Sequence, residues 1–139
     1  MTSRPLVLDT NIVLDVFLFA DAAVQPLRVG LVAGQWDWLA TEAMRAELAR
    51  VLTYPQIAAR LARYPLSVEA VLAHFDQHTR CVGVAVKASL TCSDADDQRF
   101  IDLAVAHRAV LLSKDRAVLS MANRLRALGV TACRTLPLE

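Results

Sequence analysis

Short apolar blocks along the chain alternate with longer stretches in which apolar and polar positions recur at helical spacing. The first block, Pro5 to Leu8, stops at Asp9. After Thr10 and Asn11 an apolar run resumes through Phe19, interrupted by Asp15. An apolar strand that ends on an acid and turns at once into a helix is how open α/β sheets present a reactive carboxylate. The pattern therefore predicts a strand up to Asp9 and a helix over Asn11 to Phe19, apolar on most faces and so buried. Asn11 serves as a helix cap, as support beside Asp9, or as both; Asp15 reads as structural.

Further on, Val24 to Ala33 predicts a second helix, with Pro26 tolerated in its first turn and Gly34 ending it. Trp36 to Ala40 is a short strand, and Thr41 caps a helix whose apolar stripe is Met44, Leu48, Val51 and Leu52. Tyr54-Pro55 breaks that helix. Two more follow over Gln56 to Arg63 and Ser67 to His78, with Pro65 between them and Ser67 as N-cap. Cys81 to Val86 reads as a β-branched strand, and Phe100, Ile101, Leu103, Ala104 and Val105 mark a helix that starts at Asp97. Ala109 to Leu112 is a buried strand, Arg116 to Leu128 a helix ended by Gly129, and Val130 to Cys133 a last strand.

Strands alternating with helices, without hairpin signals, predict a three-layer α/β/α fold with a mostly parallel sheet of about four to five strands. In that architecture Asp9 and Asp115 end neighbouring strands on one edge of the sheet, and the helix start carrying Asp97 reaches the same edge. At 139 residues the chain suits a single domain over 1–139.

Composition adds bounds. The chain is 55% hydrophobic and 6% aromatic, so its core is aliphatic, as suits helices on a buried parallel sheet. No apolar stretch approaches the ~20 residues of a membrane span, and the first residues lack the pattern of a signal peptide; a cytoplasmic protein is expected. Cys81, Cys92 and Cys133 have no zinc spacing and read as reduced, mostly buried thiols. A net charge of +1 does not by itself call for nucleic acid.

The chemistry lies in the acids. Asp94, Asp96 and Asp97 sit at a helix start, where capping alone favours them, yet three acids within four residues exceed what a cap needs. Like charges this close raise one another's pKa unless a cation intervenes. Glu47, beside its helix's apolar stripe, taken alone reads as a solvated partner of Arg50 or Arg45. His74 and His78 are spaced as two metal ligands could be, but no third ligand accompanies them, and they read as ordinary helix histidines.

Taken in order, LDTN at Leu8 to Asn11, Glu47 in ELARVL, DADDQRFIDLA from Asp94 and LLSKD at Leu111 to Asp115 resemble a PIN domain, and within that superfamily the toxin components related to VapC. The resemblance covers nearly the whole chain. It implies a metal-dependent endoribonuclease that hydrolyses RNA with Mg²⁺ or Mn²⁺, with Asp9, Glu47, Asp97 and Asp115 as catalytic metal carboxylates, joined by Asp94 or Asp96. Asn11 and Ser113 are implied as polar supports. An antitoxin protein and a homodimer are the implied partners, the dimer surface being sought around Leu61, Leu66 and Val71. Ala95 stands where relatives often have Pro, and Ser113 where they often have Thr.

The acids suit the chemistry independently, since a carboxylate-held metal can acidify water and stabilise charge on phosphate oxygens. An acidic cup repels RNA, so basic residues are needed at its rim; Arg45, Arg50, Lys114 and Arg116 are candidates by proximity. Three other readings compete. A haloacid-dehalogenase-like, Mg-dependent phosphatase wants a second Asp where Asn11 stands, and a phosphorelay receiver wants an earlier acidic pair that is missing. A PIN-like module binding RNA or an antitoxin without cleavage has no use for the full acid set.

Overall fold

The computed structural model of the chain describes residues 3–19, 22–63 and 66–136. At its centre runs β1 (Arg4–Leu8), whose Leu6, Val7 and Leu8 are at most 3% exposed, as expected of a parallel strand covered on both faces. Next to it lie β2 (Trp36–Ala40) on one side and β4 (Val110–Leu112) on the other; β3 (Thr79–Cys81) and β5 (Thr131–Cys133) form the edges. Every pairing is parallel, in the order β3-β2-β1-β4-β5. From β1 the chain works outward to β2 and β3, then returns across the sheet to β4 and continues to β5. The order therefore reverses between β1 and β4, and a crevice opens at their carboxyl ends.

With parallel crossovers of the usual right hand, this strand order assigns the helices between β1 and β3 to one face and those after β3 to the other. The first group is α1 (Thr10–Leu14), α2 (Gln25–Val32), α3 (Glu42–Val51), α4 (Pro55–Arg63) and α5 (Val68–His78). The second is α6 (Gln98–His107), packed on β1 and β4, then α7 (Arg116–Leu119) and α8 (Ala122–Ala127). Local chemistry explains the boundaries: Thr41 Oγ1 accepts the Met44 N–H at the start of α3, and Ser67 Oγ accepts that of Ala70 at the start of α5. Gly34, at φ 73°, turns the chain out of α2. Gly30 is required for space, because a Cβ there would lie 2.8 Å from Trp36 Nε1.

Several sequence expectations need correction. The first helix does not stay α-helical to Phe19; it continues as a π-helical turn over Asp15–Phe19. The third strand is Thr79–Cys81, sharing only Cys81 with the stretch expected to Val86: it starts directly after α5, and past Cys81 only Val82 N–H, donating to Ala40 O at 2.9 Å, extends the ladder. The helix expected over Arg116 to Leu128 is two helices, broken at Ser120–Met121. Cys81 is exposed, whereas Cys92 is buried and Cys133 half-buried. Leu61 and Val71, sought as dimer surface, are 4% and 0% exposed, and Leu66 packs partly buried against the same core. They belong to the packed core. Pro65 lies outside the described residues.

Candidate metal centre

Each acid reaches the crevice by its own local device. Asp9 leaves β1, and its N–H donates to Leu112 O at 3.0 Å, which locks the ends of β1 and β4 together. Its carboxylate, 5% exposed, accepts the Ser113 hydroxyl at 2.7 Å. Ser113 Oγ also accepts the Asp115 N–H at 3.0 Å, so one hydroxyl ties both strand-end acids. Asp115 then caps α7 by accepting the Ala117 N–H at 2.9 Å.

The acids before α6 are held by a polar clamp. Gln98 accepts the Cys92 N–H at 2.6 Å and donates to Leu90 O at 3.0 Å and to Asp102 Oδ1 at 2.7 Å; Asp102 in turn accepts the Ala88 N–H at 2.9 Å. With the preceding loop fixed, a single turn of 3₁₀ helix (Ala95–Asp97) leads into α6. Asp94 Oδ1 accepts the Asp96 N–H at 3.0 Å, while Asp96 itself stays exposed.

Asp94, Asp97 and Asp115 offer ligand oxygens that all lie within 4.8 Å of one another. Capping accounts for Asp94 and Asp115. It does not account for Asp97, whose carboxylate is 7% exposed and whose Oδ2 is buried without a hydrogen-bond partner. Burial, a side-chain hydrogen bond with the Asp115 carboxyl and the charges of Asp9, Asp115 and Asp94 push its pKa up to about 7. Burial also raises the pKa of Asp9, against the opposing pull of the Ser113 hydroxyl and the Asn11 N–H; the charges of Asp115 and Glu47 raise it further. Oxygen donors and an orphaned buried carboxylate oxygen fit a hard divalent cation.

Glu47 faces the same crevice edge, since its Oε2 accepts the Thr10 hydroxyl at 2.7 Å and Thr10 directly follows Asp9. The sequence does not mark Thr10 as part of the site: it stands within the LDTN run, but nothing in one helix shows that Glu47 turns toward it. Asn11 contributes its backbone N–H beside Asp9, and its side chain is exposed.

The rim cations divide. Arg45 forms a two-pronged pair with Asp76, at 2.7 and 2.9 Å, and Lys114 Nζ lies 2.7 Å from Asp15 Oδ2. Arg50 and Arg116 are exposed. The His74 ring stacks on Phe17 at 5.8 Å, and His78 Nδ1 is 2.7 Å from His74 O.

Fold and site together define a class: a doubly wound parallel α/β domain that gathers carboxylates at its switch point. The family model described as PIN domain matches residues 5–117, most of the chain, and the chain belongs to the PIN domain family. No curated protein is matched by it. PIN domains are typically metal-dependent nucleases and usually bind divalent metals.

Proposed function

We propose that this chain is an endoribonuclease dependent on Mg²⁺ or Mn²⁺, hydrolysing RNA phosphodiester bonds as the toxin of a toxin–antitoxin pair. The observation that carries the catalytic reading is Asp97, a buried carboxylate with like charges around it and an oxygen that has no partner. Asp94, Asp97 and Asp115 would hold the ion, with Asp9 and Glu47 completing the cup. When bound, the ion supplies Lewis acidity toward phosphate oxygens and acidifies water.

The chain's own residues supply preorganisation. Ser113 fixes Asp9 Oδ2 relative to Asp115, and Thr10 fixes Glu47 Oε2, so the carboxylates need not reorient when substrate arrives. The reading as a non-cleaving module leaves the burial of Asp97 without a purpose, and the phosphatase reading still lacks an acid at Asn11.

For the toxin role, support comes from a groove of about 380 Å³ whose floor is the buried Val16 and Val71 and whose partly exposed apolar walls are Phe17, Leu31, Val32 and Leu66. It offers an apolar partner segment a seat beside Arg28, His74 and His78. A homodimer is part of the same reading, and light scattering at high micromolar concentration tests it. Cleavage of a single-stranded RNA with Mg²⁺, with Mn²⁺ and with chelator tests the catalytic part. Activity that is metal-dependent and lost in Asp97→Asn is the expected result; equal cleavage by wild type and Asp97→Asn overturns the assignment. Co-expression with the product of the neighbouring reading frame, followed by loss of cleavage on complex formation, is the expected behaviour of a toxin. Undiminished cleavage beside that product would count against it.

A further inference from the structure

Beside the acid cup, at the carboxyl ends of β4 and β5, lies a second cavity of about 270 Å³, whose walls include Ile12, Asp15, Val24, Lys114, Arg134 and Thr135. Parallel pairing creates it. Leu112 and Cys133 are partners across the sheet, and the Ser113 N–H donates to Cys133 O at 3.0 Å, so both chains leave the sheet side by side. Lys114 and Arg134 follow immediately. Lys114 also stands between Ser113 and Asp115, so this cavity and the acid cup share one short turn.

Among the described residues, the lining carries two cations, one carboxylate and one hydroxyl. Asp15, with its side chain only 5% exposed, fixes Lys114 through their 2.7 Å pair. An ammonium has three N–H donors, so that pair leaves capacity for an anion. Arg134 is exposed and makes no salt bridge among the described residues. A strut fixing the Ser113–Asp115 turn explains Asp15 and Lys114. It does not explain a second cation and a hydroxyl in the same concavity.

We propose that this cavity is a phosphate subsite, in which Lys114, Arg134 and Thr135 hold a phosphodiester group of the RNA strand next to the one at the acid cup. The proposal rests on the ribonuclease reading. A polyanion brought to a cluster of carboxylates needs cations close by, and a concave cationic site concentrates that attraction. The guanidinium fork suits phosphate oxygens in two-pronged geometry.

The test measures binding of a short single-stranded RNA by fluorescence anisotropy in chelator, where no cleavage occurs, together with steady-state cleavage in Mn²⁺. Arg134→Ala is expected to weaken binding about fivefold or more and to lower the salt slope by ~0.7, the value for one lost phosphate contact on a single strand. KM should rise more than kcat falls. Arg124→Ala, which removes an exposed cation of α8, should change Kd less than twofold. On the substrate side, one uncharged methylphosphonate linkage near the cleavage position should weaken wild type by the same factor and leave Arg134→Ala unaffected. Wild-type Kd, KM and salt slope in Arg134→Ala overturn the subsite, as does a methylphosphonate effect that adds to the mutation. If wild type does not cleave but binding still depends on Arg134, the nuclease reading falls and the subsite stands.

Discussion

Asp15 and Asp97 are buried to nearly the same depth, 3% and 7% exposed, and the chain treats them in opposite ways. Asp15 receives the Lys114 ammonium at 2.7 Å. Asp97 receives two more carboxylates, Asp94 and Asp115, and its Oδ2 has no partner. Taking an ion out of water costs several kcal/mol unless a counter-charge repays it. At Asp15 the chain supplies that counter-charge itself. At Asp97 it does not, although Lys114 is the residue next to Asp115. A lysine so near the cup, yet committed to the neighbouring aspartate, leaves the cup's charge to be balanced from solution. That is the arrangement a metal site needs.

The contrast breaks most visibly at Asp97. Replacing Asp97 with Asn is expected to lower metal-dependent RNA cleavage about 100-fold or more, since even groups that only support a ligand cost ~10–100-fold. The same variant without metal should be no less stable than wild type in urea unfolding, because a repelled charge is removed. At Asp15 the sign reverses. Lys114→Met leaves Asp15 uncompensated and should cost ~2 kcal/mol, below the ~3–5 kcal/mol of a fully buried pair, because Lys114 is 38% exposed.

A further effect is spread over pH. The folded-state pKa of Asp97 is raised from 3.8 to about 7, so across that window the metal-free folded protein binds more protons than the unfolded chain. Its stability is full below about 4 and is lost as pH rises through about 7, with a slope of at most ~1.4 kcal/mol per pH unit. Denaturation midpoints between about pH 4.5 and 8 should fall in wild type and stay flatter in Asp97→Asn. A rise with pH would contradict the assignment. Smallest is the hydroxyl link: Ser113→Ala should cost ~1 kcal/mol and raise the Asp9 pKa further, whereas Ser113→Thr keeps the hydroxyl and stays near wild type.

Much of this was legible in the sequence because it depends on local pattern. The run PLVL stopping at Asp9, the block ending at Leu112 before Ser113-Lys114-Asp115, and the caps Thr41 and Ser67 each declare themselves within a few residues. What stayed illegible depends on partners far apart in the chain. Thr10 and Glu47 meet across 37 positions, Ser113 and Asp9 across 104. Sequence proximity to the candidate acids puts Lys114 at the rim for RNA, and it does line the second cavity; that its ammonium also pairs with Asp15 only the fold shows. The Gln98 clamp on Leu90, Cys92 and Asp102 gave no signal, since a glutamine in the first turn of a helix is unremarkable by itself. The strand expected over Cys81 to Val86 lies instead at Thr79–Cys81 for a related reason: β-branched composition favours extension, but an edge strand pairs only where its one neighbour runs, and that neighbour ends at Ala40.

The central claim is that the charge around Asp97 awaits a divalent cation, and calorimetric titration of Mn²⁺ in buffers of different ionisation enthalpy tests it directly. With the Asp97 pKa near about 7, binding at about pH 6 should release close to one proton per chain, and at about pH 8.5 close to none. Asp97→Asn should bind at least tenfold more weakly and release no proton at either pH. Saturable binding whose affinity and proton release are the same in wild type and Asp97→Asn, or no saturable binding by wild type, would contradict the account.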